Sequence, residues 1–248
     1  MSTGKKRLRV IAGPNGSGKS TLTDIIKGMV KLGIYINADE IKVKILRTAC
    51  LSFSDYNLSI TNSTFYEALR VTTFKSSQET GYWIFEDNGL SFIDISKLDD
   101  YFVAFLADFI RNSLLEQADR FSFETVMSHP SKLDFMQKAK DKGFKVYLYF
   151  VSLPNPELNL LRVKTRVEQG GHDVKEDIVK ERYARTMGLL LNAMKIADNA
   201  YIFDNSGTEP KMIAQKENGI LNTLGDYTPV WYQEYVLKKY KGVIRQDP

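Results

Sequence analysis

Cysteine is almost absent, with Cys50 the only one in 248 residues. No intrachain disulfide can form, and no thiolate metal cluster can be assembled. The apolar neighbours Ala49 and Leu51 point to a packed thiol rather than a nucleophile. No apolar run approaches the roughly 18–20 residues of a membrane span. The opening Met1-Ser2-Thr3-Gly4-Lys5-Lys6 holds no apolar signal core. A cytoplasmic protein without a membrane partner is the expectation. An excess of one charge is also missing: 34 Lys+Arg against 30 Asp+Glu leave a formal +4. So mild an excess, with no basic stripe, speaks against nucleic acid as a partner. The tight basic run Lys5-Lys6-Arg7-x-Arg9 reads as a solvated lead-in to a strand. Internal repeats and low-complexity tracts are lacking too.

What is present is a complete P-loop. Gly13-Pro14-Asn15-Gly16-Ser17-Gly18-Lys19-Ser20 fits G-x-x-x-x-G-K-[ST]. It stands between an apolar strand, Leu8–Ala12, and a helical run beginning Thr21-Leu22-Thr23-Asp24-Ile25-Ile26. In that setting glycines let backbone N–H groups curl around phosphate oxygens at a helix N-terminus. Lys19 is expected to reach the β- and γ-phosphates of ATP, and the Ser20 hydroxyl to sit on Mg²⁺.

Beyond the loop, strands and helices alternate. Gly33–Asn37 reads as a strand, and a helix is expected from about Glu40 to Thr48. From 51 to 97 the rhythm breaks into a Ser-, Thr-, Asn- and aromatic-rich insertion, where Asn88-Gly89 between apolar runs signals a hairpin beside a helix. Its Tyr56, Phe65, Tyr66, Phe74, Tyr82, Trp83 and Phe85 can stack a base or sugar, or can form the core of a small subdomain. The rhythm resumes with helix Tyr101–Gln117, strand Phe121–Thr125 and helix Lys132–Lys142 closed by Gly143. Strand Lys145–Val151 and helix Glu157–Glu168 follow. A long helix opened by Asp173 and Glu176 runs to Ala197, and strand Ala200–Asp204 comes next. The last forty residues hold only short elements. The expected fold is α/β, a P-loop NTPase-type three-layer fold. Its mostly parallel sheet has helices on both faces, and the chain 1–248 is one domain carrying the insertion.

Ligands of such sheets bind beyond the carboxyl ends of the strands, which singles out Ser20, Asp39, Glu124 and Asp204 as ringing one crevice. Asp39 is either a base for phosphoryl transfer or a helix N-cap. Glu124 either orients Mg²⁺ and its waters or is a surface carboxylate. Arg162 and Arg166, four apart before Gly170-Gly171, suit a lid over phosphates or a solvated face paired to Glu168. Arg182 and Arg185 share a face, opposite a buried stripe of Tyr183, Met187, Leu190 and Met194.

Taken in order, Ala12–Thr21, Ile36-Asn37-Ala38-Asp39-Glu40-Ile41, Phe121–Val126, Arg166–Val174, Arg182-Tyr183-x-Arg185 and Phe203–Ser206 resemble the zeta-toxin family of P-loop kinases. The resemblance spans roughly 7–46 and 98–207. It implies ATP- and Mg²⁺-dependent phosphorylation of an alcohol on a small-molecule acceptor, the 3′-hydroxyl of the nucleotide sugar UDP-N-acetylglucosamine in the characterised toxins, and a small helical antitoxin as partner. Asp39 then matches the base, and Lys19 and Ser20 the phosphate lysine and metal hydroxyl. Glu124 and Thr125 match the residues at the acceptor and the metal-bound water, and Arg166 the first lid arginine. Thr21 and Asn205 join the nucleotide contacts. Where the family carries a second lid arginine, this chain has His172, which leaves Arg182 or Arg185 to supply that charge. The competing readings are a nucleic-acid 5′-hydroxyl kinase, and a nucleotide-dependent regulatory module whose insertion is the partner surface.

Overall fold

The computed structural model describes residues 5–72, 81–170 and 174–247. In chain order the elements open with β1 (Arg7–Ala12), α1 (Lys19–Met29), β2 (Ile34–Ile36), α2 (Ala38–Thr48), β3 (Cys50–Ser52) and α3 (Asn62–Val71). Next come β4 (Trp83–Glu86), β5 (Gly89–Phe92), α4 (Asp100–Gln117), β6 (Arg120–Thr125), α5 (Ser131–Asp141) and β7 (Lys145–Ser152). The chain continues with α6 (Pro156–Glu168), α7 (Glu176–Ile196), β8 (Asn199–Asp204), β9 (Lys211–Glu217), β10 (Ile220–Leu224), α8 (Val230–Tyr235) and β11 (Val243–Asp247). It divides into two compact units, Met1–Leu32 with Glu124–Pro248, and Gly33–Phe123. The 51–97 insertion expected from the sequence thus belongs to a larger unit.

In the first unit six strands run in the order β11-β10-β9-β8-β7-β1. The pairs β1–β7, β7–β8 and β10–β11 are parallel, while β9 pairs antiparallel with both β8 and β10. Val10 and Ile11 of β1, and Phe150 and Val151 of β7, point to opposite faces yet are fully buried. A parallel sheet covered on both faces shows that pattern. α5 and α7 pack against β7. α7 turns Tyr183, Met187, Leu190 and Met194 inward, the stripe expected from their spacing. β9 and β10 join through Asn218 (φ 49°) and Gly219 (φ 79°), both left-handed as a type I′ hairpin turn requires. The mostly parallel α/β architecture is the expected one.

In the second unit β2 pairs parallel with Phe121–Phe123, and β3-β5-β4 form a three-stranded antiparallel sheet. Phe65 of α3 is its aromatic centre. Rings of Phe53, Trp83, Phe85, Phe105 and Phe109 stand 5.2–5.8 Å from it, mostly tilted or edge-on. Most of the insertion's aromatics therefore form a core with α4; Tyr66 is partly exposed, and Phe74 lies outside the described residues. The hairpin turn is Asp87-Asn88 (φ 45° and 59°), one residue earlier than expected. Gly89 stands in the ladder instead, where a Cβ would meet the Leu51 carbonyl oxygen at 2.5 Å. Asn88 pins the neighbouring loop. Its Nδ2 donates to the Leu58 carbonyl (2.7 Å) and Ser54 Oγ (2.9 Å), and its Oδ1 accepts from the Ile60 N–H (2.7 Å). Cys50 is exposed rather than packed, because the strand alternation of β3 sends Leu51 inward. Among the described residues, no helix is long and apolar enough to cross a membrane.

Candidate functional site

The P-loop is held by close approach. A Cβ at Gly13 would stand 2.1 Å from the Val151 carbonyl oxygen, and one at Gly16 2.5 Å from that of Asn159. Gly16 (φ 72°) and Gly18 (φ 92°) are left-handed, a conformation glycine enters without penalty. The Gly13 N–H donates to the Thr125 carbonyl (3.3 Å), and the Ser17 N–H to that of Pro14 (3.3 Å). Gly18 is the N-cap of α1. No side chain caps that end, and no acid stands in its first turn. A helix start without a capping side chain, with its positive dipole end, is what an anion needs. Lys19 donates to the Pro14 carbonyl (3.0 Å), while Ser20 and Thr21 are exposed. A polyphosphate fits this cradle.

Three residues from distant parts of the chain brace the loop. Asn205, just past β8, donates through Nδ2 to the Ser17 carbonyl (2.8 Å) and through its N–H to that of Ser152 (3.0 Å). Arg162 donates through Nη2 to the Asn205 carbonyl (2.8 Å). Asn159, fully buried, donates through Nδ2 to the Asn15 carbonyl (2.5 Å). Sequence reasoning placed Asn205 with the nucleotide and missed Asn159. The signal was an amide sharing the buried face of α6 with Val163, four residues on.

Glu124, the last but one residue of β6, is half-buried and accepts from Thr23 Oγ1 at 3.4 Å, a hydroxyl that also donates to the Lys19 carbonyl at 2.9 Å. Among the described residues no group of three or more His, Cys, Asp or Glu could hold a metal. Ser20 and Glu124 offer hard oxygen donors of the kind Mg²⁺ takes alongside its waters. Thr125 Oγ1 accepts the Met127 N–H (3.0 Å), and Met127 is left-handed (φ 57°) though nearly fully buried. Thr186 of α7 holds that turn by donating to the Val126 carbonyl (2.9 Å).

Arg182 lies one helical turn before Thr186, on the same face, and is half-buried. Arg185 is paired to Glu181 and exposed. Of the two expected substitutes for a second lid arginine, Arg185 is thus the more exposed and Arg182 the half-buried one. Arg166 stands exposed in the last turn of α6. His172 and Asp173 lie outside the described residues, and Lys175, not Asp173, is the N-cap of α7. α6 and α7 share a small core of Leu160, Val163 and Val179.

Asp39 belongs to the second unit, at the second position of α2. Asn37 is the N-cap, its Oδ1 accepting the Asp39 N–H (2.9 Å), so the exposed Asp39 carboxylate is not the cap. Asp204 departs from expectation. It is buried, accepting from Trp231 Nε1 (2.7 Å), the Ser206 N–H (3.1 Å) and the Ser206 hydroxyl. Those bonds leave it a structural carboxylate rather than a member of the crevice ring.

No family model matches the chain. A stretch of 69 residues is 42% identical to a protein of Haemophilus influenzae described only as uncharacterized; it makes up 28% of this chain and 49% of that protein. The chain thus spans about half the length of the relative it matches. Among solved structures, a chain from the PezAT chromosomal toxin–antitoxin system of Streptococcus pneumoniae aligns with a TM-score of 0.51 at 14% identity, over 97% of this chain and 82% of that one. The AvrRxo1-ORF1:AvrRxo1-ORF2 complex, solved with sulphate ions and again with ATP, gives a TM-score of 0.50 at 15% and 16% identity. Those alignments take in 96% of this chain and 64% of that one. Each likeness, at 14–16% identity, shows the fold alone, a mostly parallel α/β architecture shared with those chains.

Proposed function

We propose that the chain is an ATP-dependent phosphotransferase that moves the γ-phosphoryl group to a hydroxyl of a small-molecule acceptor. The observation that carries this is the uncapped N-terminus of α1, ringed by Gly13, Gly16, Gly18 and Lys19. A neighbour of the same fold solved with ATP supports the choice of nucleotide. UDP-N-acetylglucosamine is the acceptor to test first, on the family resemblance alone. The toxin–antitoxin origin of a fold neighbour supports a search for an antitoxin partner.

In this reading the backbone N–H groups of Gly18, Lys19, Ser20 and Thr21 bind phosphate oxygens, and the Lys19 ammonium neutralises the β- and γ-phosphates. Ser20 and Glu124 would hold Mg²⁺, which supplies further charge neutralisation for the phosphate oxygens. Asp39 takes the proton of the acceptor hydroxyl as its oxygen bonds to the γ-phosphorus, while the bond to the β-phosphate oxygen breaks and ADP leaves. Glu124 and Thr125 orient the acceptor, and Arg166 and Arg182 add positive charge as the transfer proceeds. Asp39→Asn tests the assignment. Transfer, followed as a phosphate-sized mass gain on the sugar nucleotide, should fall about 10²- to 10⁴-fold, the range of a general base, with ATP affinity unchanged. Full transfer by Asp39→Asn removes the base. ATP bound with no acceptor modified across a panel of nucleotide sugars shifts the reading to a regulatory module.

A further inference from the structure

The basic run Lys5-Lys6-Arg7-x-Arg9, expected from the sequence to be a solvated lead-in to β1, is not solvated at its end. Arg9 is only 6% exposed. Its Nε and Nη1, which carry most of the guanidinium N–H donors, are buried without a hydrogen-bond partner. The group does hydrogen-bond the Tyr149 hydroxyl, and its Cζ lies 5.1 Å from the centre of the Tyr147 ring. Lys145 Nζ stands over the same ring at 5.3 Å. The β1–β7 register sets Arg7 beside Lys145 and Arg9 beside Tyr147. All four side chains therefore share one face of the sheet, in the half of β1 away from the P-loop. Among the described residues no carboxylate forms an ion pair with Arg7, Arg9 or Lys145. Asp198 attracts Lys145, but its oxygens are taken by Lys140 Nζ (3.0 Å) and the Val146 N–H (2.7 Å). Glu217 faces the same side of the sheet two strands beyond Tyr147, roughly 10 Å away. A buried guanidinium with open donors and no counter-charge is strongly unfavourable unless an anion joins it.

We infer that Arg7, Arg9 and Lys145 form a second anion site, separate from the nucleotide loop, that takes a dianionic phosphate group. Charge sets the class. Three cations against the one carboxylate on that face, Glu217, leave an excess that a dianion cancels. The open N–H groups of Arg9 and the Lys145 ammonium supply charge-assisted hydrogen bonds to phosphate oxygens. No side chain already in place does this work. The Tyr149 and Tyr201 rings stack at 5.0 Å next to Arg9, but burial raises both hydroxyls, so neither turns into a tyrosinate near neutral pH. The rim of the cluster reaches solvent, since Arg7, Tyr147 and Lys145 are each only partly buried. The site rests on no part of the nucleotide reading above.

Thermal unfolding and calorimetric titration with inorganic phosphate, against chloride at equal ionic strength, test the site. In phosphate-free buffer Arg9→Met should raise the Tm by about 2–8 °C, because an apolar side chain of similar length replaces an unpaired buried charge. The same change should weaken phosphate about 10- to 100-fold, and with it the phosphate-dependent rise in Tm that the parent shows. Lys145→Gln, on the partly exposed rim, should weaken phosphate by a smaller factor; it carries the test if Arg9→Met fails to fold. A P-loop also takes phosphate, so Lys19→Ala is titrated beside them and should keep the response. Glycerol 3-phosphate separates the sources. Affinity no tighter than that of phosphate marks a site for the free ion, and tighter affinity that Arg9→Met removes marks one for a phosphate ester. A lower Tm for Arg9→Met with phosphate binding intact would overturn the assignment and leave Arg9 a packing residue. A phosphate response lost in Lys19→Ala alone would overturn it too, and place the ion in the P-loop.

Discussion

Replacing Gly16 by alanine asks whether the approach of α6 to the P-loop is as tight as the structure has it. Gly16 sits at φ 72°, and its added Cβ would stand 2.5 Å from the Asn159 carbonyl oxygen, against 3.4–4 Å for ordinary contact. The left-handed conformation costs a non-glycine residue about 1–2 kcal/mol. Opening the gap by about an ångström breaks the 2.5 Å bond from Asn159 to the Asn15 carbonyl, and a buried unpaired group costs about 1–3 kcal/mol. The total of about 2–5 kcal/mol corresponds to a Tm about 4–20 °C lower for a chain of this size. Gly188→Ala is the control. It lies in the middle of α7, where a Cβ meets nothing within 4 Å, and it should raise stability by about 1 kcal/mol through helix propensity. Thermal unfolding with a parallel ATP titration reads both variants. Gly16→Ala should lose ATP binding as well as stability, whereas Gly188→Ala should keep ATP binding. A Gly16→Ala protein that melts and binds like the parent would show that the loop does not nest against α6, and the bracing argument would fail with it.

Other outcomes follow from the same contacts. Asn88→Ala removes three hydrogen bonds and leaves alanine at a left-handed φ, so it should destabilise the Gly33–Phe123 unit by about 2–4 kcal/mol. Trp83 fluorescence in denaturant reports that loss, and Asn88→Gly should restore only the backbone part. Burial pushes the Tyr56, Tyr183 and Tyr232 hydroxyls up to about 12, from about 10 in an unfolded chain. Raised folded values mean that the unfolded chain releases these protons first, so stability present below pH 10 declines as pH rises towards 12. Lys216, lowered by burial, acts in the opposite direction but is a single group. Denaturant midpoints from pH 9 to 12 should fall, and Tyr183→Phe should make that fall shallower; a flat profile would contradict the burial of these rings.

The P-loop was legible because it is local: eight consecutive residues between an apolar strand and an apolar helix. Asn88-Gly89 was legible as a turn but not in register. Gly89 is required where β5 passes the Leu51 carbonyl, which is a tertiary fact. Asn218-Gly219 carries the same dipeptide signal and does form a hairpin, in the tail where only short elements were expected. Asp204 and Glu124 look alike in the sequence, each an acid ending an apolar strand. What separates them is an indole 27 residues further on. Asn159 reaches a carbonyl 144 residues away, and no local pattern encodes such a contact.

The bond from Trp231 to Asp204 bears on how the protein can be trimmed. The stretch resembling kinases ends near residue 207, so a minimal catalytic fragment would be cut there by sequence alone. That cut would remove the indole and strip β9 from the edge of β8, leaving Asp204 Oδ2 without its indole donor beside Asn205, while Ser206 still holds Oδ1. Asn205 is also the strut under Ser17, so damage at the cut edge would pass to the phosphate cradle through one residue. The final forty residues thus buttress the P-loop through Asp204 and Asn205, and shortened forms of the protein should keep them.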